Sequence, residues 1–157
     1  MAWSKAGSTT LESAGDNITV SDFTSTTFNV FMAYVLNSGS ADVTTRMDSN
    51  TGNNYCNRRN INGGTDELNT TSSNIINNGN NNSALVVQYI INISGKEKLT
   101  ISNASDRGSA GASNAPNREE CVGKFIVTSG QFTSLTAFNS DSGDFDTDSN
   151  LSVIGTD

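Results

Sequence analysis

Histidine is absent from all 157 positions of this chain, so any chemistry would rest on acids, two thiols, lysines and tyrosines. Ser-His-Asp triads, Cys-His dyads, His-bearing zinc sites and facial-triad iron are excluded at once. The densest acidic run is Asp144-Phe145-Asp146-Thr147-Asp148, preceded by Asp141. Alternate acids open calcium loops because hard oxygen ligands must converge on one ion. This run lacks the rest of an EF-hand. Ser149 stands where the sharp-turn glycine belongs, and Gly155 where the bidentate glutamate belongs. It reads as a solvated acidic turn, and no metal or other cofactor is expected. Asp66-Glu67 and Glu119-Glu120 could supply a glycosidase-type carboxylate pair, but no aromatic cleft accompanies them in the sequence. They read as surface acids. Ser94-Gly95-Lys96-Glu97-Lys98-Leu99 lacks the spacing and the following helix of a phosphate loop, and reads as a charged hairpin turn. Cys56 and Cys121 are too few for a zinc cluster. They either form one disulfide, worth about 4 kcal/mol on the chain-entropy model, or stay free as small hydrophobes in a reducing compartment. With no catalytic constellation, the chain is read as a non-enzyme.

The elements that would position these residues are strands, because the apolar period is two. In Phe28–Leu36, one face reads Phe28, Val30, Met32, Tyr34, Leu36; in Leu85–Ile93, one face reads Leu85, Val87, Tyr89, Ile91, Ile93. Their opposite faces are partly apolar too, which predicts central strands. Shorter strands are predicted at 18–20, 43–47, 55–61, 97–102, 121–128, 132–138 and 151–154. In 97–102 the alternation predicts Leu99 and Ile101 inward, with Lys98 and Thr100 outward. In 121–128 it places Cys121, Gly123, Phe125 and Val127 on one face. Turn signals such as Asn62-Gly63-Gly64, Ser94-Gly95 and Ser129-Gly130 separate these runs. The expected architecture is all-β, a jelly-roll-like antiparallel β-sandwich of about eight or nine strands. Residues 1–157 form a single domain with a short N-terminal arm. Two polar stretches, 69–83 and 105–120, read as long surface loops.

Composition narrows the partners. The formal net charge is -7 and the nine basic residues are scattered. Non-specific nucleic-acid affinity comes from neutralised phosphates, so nucleic acid is not an expected partner. The longest apolar run, Val30–Leu36, falls far short of the roughly 20 residues of a membrane span, so no membrane partner is expected either. The first ten residues carry no apolar leader, although the Ser-, Thr-, Asn- and Gly-rich composition suits an extracellular β-protein.

Several short segments occur in an order with a likeness elsewhere: Ala2-Trp3-Ser4-Lys5, Gly63-Gly64-Thr65-Asp66, Lys96-Glu97-Lys98-Leu99, Asn114-Ala115-Pro116-Asn117-Arg118, Gly143-Asp144-Phe145 and Gly155-Thr156-Asp157. In this the chain resembles small virion-associated proteins of tailed phages and environmental viral genomes, over nearly its whole length. The resemblance implies a virion structural protein and transfers no catalytic residue. The expectation is a capsid decoration or minor capsid subunit that binds the major capsid protein or other virion subunits. It would form a homo-oligomer, a trimer or pentamer, assembled in the host cytoplasm and released by lysis. Trp3, the only tryptophan, is the expected interface residue. The alternative is a receptor- or carbohydrate-binding module of a tail fibre or spike, disfavoured by a shortage of exposed-looking tryptophan and tyrosine.

Overall fold

Strand pairs nest one inside another along this chain. The computed structural model describes residues 2–37, 39–71, 74–80 and 83–157, all of them strands, turns and connections without a helix. The strands are β1 (Ser4–Thr10), β2 (Asn17–Val20), β3 (Phe28–Val35), β4 (Ser40–Met47), β5 (Tyr55–Ile61) and β6 (Glu67–Thr71), then β7 (Asn74–Asn80), β8 (Ala84–Ile91), β9 (Lys98–Asp106), β10 (Asn117–Phe125), β11 (Leu135–Phe138) and β12 (Asn150–Thr156). β1 pairs with β12, β2 with β11, β3 with β8 and β4 with β7, all antiparallel. Members of this nested set alternate between two sheets, which is the winding of a jelly roll. Two hairpins are inserted into it, β5–β6 and β9–β10, and β10 pairs with β5. They widen one sheet to the order β1-β12-β3-β8-β9-β10-β5-β6, against a four-stranded sheet β2-β11-β4-β7.

The all-β sandwich is as the sequence predicts, with three additional strands. The segment expected to be an N-terminal arm is β1, hydrogen-bonded along β12 and shifted by a bulge between Lys5 and Gly7. The stretch 69–83, expected to be a loop, contains the end of β6 and all of β7; residues 72, 73, 81 and 82 lie outside the described residues. Its asparagines have low strand propensity, so tertiary pairing with β4 overrides composition here. The second expected loop shrinks to residues 107–116, because β9 and β10 run longer than their apolar cores. The Asn62-Gly63 signal does what its chemistry predicts. Both residues have positive φ, and Gly64 N donates to Ile61 O at 2.9 Å, closing the β5–β6 hairpin.

The core lies between the sheets, where Phe31, Val35, Leu151 and Val153 of the large sheet meet Ile18, Met47 and Leu135 of the small one. Tyr55 stacks on Phe125 at 4.7 Å, and its hydroxyl accepts a hydrogen bond from Met47 N at 2.9 Å. Toward the inserted hairpins the interior turns polar. Thr45 Oγ1 donates to Gln88 Oε1 at 3.0 Å, and Gln88 Nε2 donates to Ser102 Oγ at 3.0 Å. Such a chain is tolerated because each buried polar group is paired.

Candidate interaction face

The polar interior of the inserted half has a counterpart outside. Strand parity is reversed from the sequence expectation: in β9, Lys98, Thr100 and Ser102 point into the protein while Leu99 and Ile101 point to solvent. In β3, Asn29, Phe31, Ala33 and Val35 are buried, and Phe28 and Tyr34 are exposed. In β8, Ala84, Val86, Gln88 and Ile90 are buried, and Leu85, Tyr89 and Ile91 are exposed. Parity is set by which residues can be satisfied between the sheets. Gln88, Ser102 and Lys98 find hydrogen-bond partners there, so their apolar neighbours are turned outward. The Cys121–Phe125 parity is as expected, with Cys121 and Phe125 inward.

Register aligns the outward residues in rows across the strands. One row runs Ile154, Val30, Tyr89, Ile101, Val122 across β12, β3, β8, β9 and β10, with Val30 itself buried. A second runs Phe28, Ile91, Leu99 and then Lys124 and Cys56. Two more begin with Met32–Val87 and Tyr34–Leu85 and turn polar at Asn103 and Ser105 of β9. The exposed members of these rows on β3, β8, β9 and β10 keep 38–58% of their surface in solvent. Contiguous apolar surface of this kind makes this face a candidate interaction site, since monomers rarely expose more than a few hundred Å². A shallow groove of about 700 Å³ crosses the face between Trp3 and Phe28 on one side and Leu68 on the other, with Tyr89, Ile101 and Val122 between them.

Charges on this face neutralise one another. Arg58 pairs with Asp66 at 3.3 Å, Lys124 with Glu97 at 3.0 Å and Arg118 with Glu120 at 3.9 Å. Three cations meet three acids in these pairs, and exposed Lys5 of β1, opposite Ile154, adds one further cation, so this side carries no surplus of acid although the chain carries -7. The outward positions of β3 and β8 hold no charged residue at all.

The residues singled out from sequence are dispersed. Trp3 lies at the rim of the groove, half exposed. Trp3, Tyr34 and Tyr89 are all exposed, which corrects the expected shortage of exposed aromatics; only Tyr55 is buried. Glu67 and Glu119 do approach each other, but around the guanidinium of Arg59, which ion-pairs with both. Glu119 is almost fully buried there, so the arrangement is a structural triad in which one guanidinium holds two carboxylates. Among the described residues, no group of three or more His, Cys, Asp or Glu is placed to hold a metal ion. Asp144 instead sits beside Asp16, whose carboxyl is pushed up by burial and by the hydrogen bond and charge of Asp144.

Cys56 and Cys121 are free. They lie on adjacent strands three register positions apart, Cys121 opposite Arg59 and Cys56 opposite Lys124, with Cys56 lining the outer groove and Cys121 buried inside. Opposite parity keeps the sulfurs on different sides of the sheet, so no disulfide closes. Burial pushes the Cys121 thiol up to about 12, and thiolate is the reactive form. Dilute native protein at mildly alkaline pH should therefore give one fast thiol with a maleimide, at Cys56, and two after denaturation. Two fast thiols in native protein would contradict this placement.

The face was missed from sequence because Leu99 and Ile101 are predicted inward and the alternation in 28–36 and 85–93, apolar on both sides, does not say which side is outer. A signal was present in the alternate positions: Asn29 in β3, Gln88 in β8 and Lys98, Thr100, Ser102 in β9 share one parity. In comparisons with protein-family models, curated proteins and solved structures, nothing matches this chain.

Proposed function

We propose that this chain is a virion structural subunit, a capsid decoration or minor capsid protein, whose work is binding rather than chemistry. The observation that carries the reading is the apolar outer face of the eight-stranded sheet, which costs stability while exposed and contributes affinity once covered. Jelly rolls build viral capsid and lectin domains, and the segments that resemble tailed-phage and environmental viral proteins favour the first. A neighbouring virion subunit, the major capsid protein or another, would dock through this face, with Trp3 as an aromatic anchor at its rim. The acidic remainder would face outward. The chain would be assembled in the host cytoplasm and leave by lysis.

Labelled antibody against this chain, imaged on purified particles of the virus that encodes it, tests the proposal. Label spread regularly over the head is the expected result. Particles without label would overturn it.

A second reading has one observation in its favour: the rings of Trp3, Tyr34 and Tyr89 are exposed on this one side, and aromatic platforms suit sugars. On this reading the chain is a receptor- or carbohydrate-binding module of a tail fibre or spike. The neighbours of these rings are mainly aliphatic, with few groups to hydrogen-bond sugar hydroxyls. Label confined to the tail tip, together with a reproducible hit on a glycan array, would favour it.

A further inference from the structure

We infer that the outer face of the eight-stranded sheet is covered by a second copy of this chain, the two sheets stacking face to face about a two-fold axis. This rests on the reading of that face as an interaction surface and names its occupant.

The electrostatics favour a self-pair. A chain of net charge -7 would repel its copy if its acids lay in the contact. Here the acids of the face are held by their own cations, in Arg58–Asp66, Lys124–Glu97 and Arg118–Glu120, and the central strands carry none. A partner recruited by charge would require a strongly acidic or basic face, and beyond the three ion pairs this one adds only Lys5.

The area also fits. Six strands, from β12 to β5, lie side by side across the face. At about 4.8 Å between strands and about 3.3 Å per residue, the patch measures roughly 24 Å by 25 Å, on the order of 600 Å² in projection. Side-chain corrugation raises the accessible area toward the roughly 800 Å² per partner of a standard stable interface.

Symmetry supplies the register. The middle of the six strands falls between β8 and β9. A two-fold axis along that boundary lays β8 over β9 of the second copy and β3 over its β10. Tyr89 then meets Ile101 of the second copy and Ile91 meets its Leu99, while Phe28, Met32 and Tyr34 lie over its Lys124, Glu120 and Arg118. The central apolar contacts repeat on both sides of the axis, as an isologous contact demands. Sheets packed in this way sit about 10 Å apart with strands nearly aligned.

Light scattering and sedimentation of the full chain test the inference, alongside two variants, Ile101→Lys and Tyr89→Glu. Both positions are more than half exposed, at 58% and 53%, so the monomer fold should tolerate the change. The parent is expected to be a dimer at micromolar concentration, and each variant to weaken dimerisation at least about 100-fold by burying an unpaired charge. Cys56 lines the covered groove, so its alkylation in the parent should slow as protein concentration rises. That readout decides the matter in unmodified protein should a variant fail to fold. A parent that stays monomeric, an oligomer that survives both variants, or alkylation independent of concentration would each overturn the inference. Monomeric protein together with labelled particles would sink the second copy alone and leave the virion reading; a dimer together with unlabelled particles would do the reverse.

Discussion

Replacing Arg59 by methionine should destabilise the fold by about 3–5 kcal/mol, the cost of leaving a buried charge without its partner. The Arg59 side chain is 7% exposed and that of Glu119 is 2% exposed, and they face each other at 3.7 Å on the inner side of β5 and β10. Glu67 on β6 reaches the same guanidinium from the solvent side. With Arg59 gone, Glu119 keeps its burial and loses its counter-charge. The measurement is urea unfolding followed by circular dichroism, read as a shift in midpoint at constant slope. Arg58→Ala is the internal control, one residue along the same strand. Its pair with Asp66 is half exposed on both sides, and such pairs contribute at most about 1 kcal/mol. A second comparison separates the pair from its members. Arg59→Met with Glu119→Leu should recover most of the loss, because an apolar pair removes both desolvation costs. A single-variant loss below about 1 kcal/mol would mean that the guanidinium is not what holds Glu119 inside.

That triad also indicates how much of the fold can be read from the chain. Strand positions were legible wherever β-branched and aromatic residues cluster, as in β3 and β8, because their side chains fit a pleated surface. The jelly-roll winding was legible only as a class. Its pairings join residues as distant as Thr10 and Asn150, and no local signal encodes them. β1 and β7 were illegible as strands for the same reason. Ser4–Thr10 and Asn74–Asn80 have weak intrinsic propensity, and they become strands by completing a ladder started elsewhere.

Face assignment failed for a different cause. A rule that sends the more apolar parity inward assumes that the sheet's other side faces water in the working state. β9 breaks the rule: it buries Lys98, Thr100 and Ser102 and exposes Leu99 and Ile101. In β9 the outward parity is the more apolar one, and the proposed docking would cover it. The failure of the parity rule in β9 and the proposed docking face share Leu99 and Ile101, which the rule sends to the core.

Lys98 carries the strongest form of this inversion, and Lys98→Met should cost about 3–5 kcal/mol. Its ammonium donates to Ile93 O at 2.9 Å, Lys96 O at 2.8 Å and Gly130 O at 2.7 Å, which uses all three of its protons. Hydrogen bonds to a charged group contribute about 1.5–3 kcal/mol each, and carbonyls left bare inside cost about 1–3 kcal/mol. Methionine keeps the stem and its packing, so the difference isolates the ammonium. Arginine should not rescue, because a planar guanidinium fork cannot reach three carbonyls arranged around a point charge. The three acceptors tie the β8–β9 turn to the connection between β10 and β11, where Gly95 N also donates to Thr128 O at 3.0 Å. Hydrogen exchange should therefore accelerate first at Gly95 and Lys96 in the methionine variant, while β2 and β11 stay protected. Uniform acceleration over both sheets would instead assign Lys98 to global stability alone. An unchanged urea midpoint would show that the lysine's burial contributes nothing, and the inward parity of β9 would then need another cause.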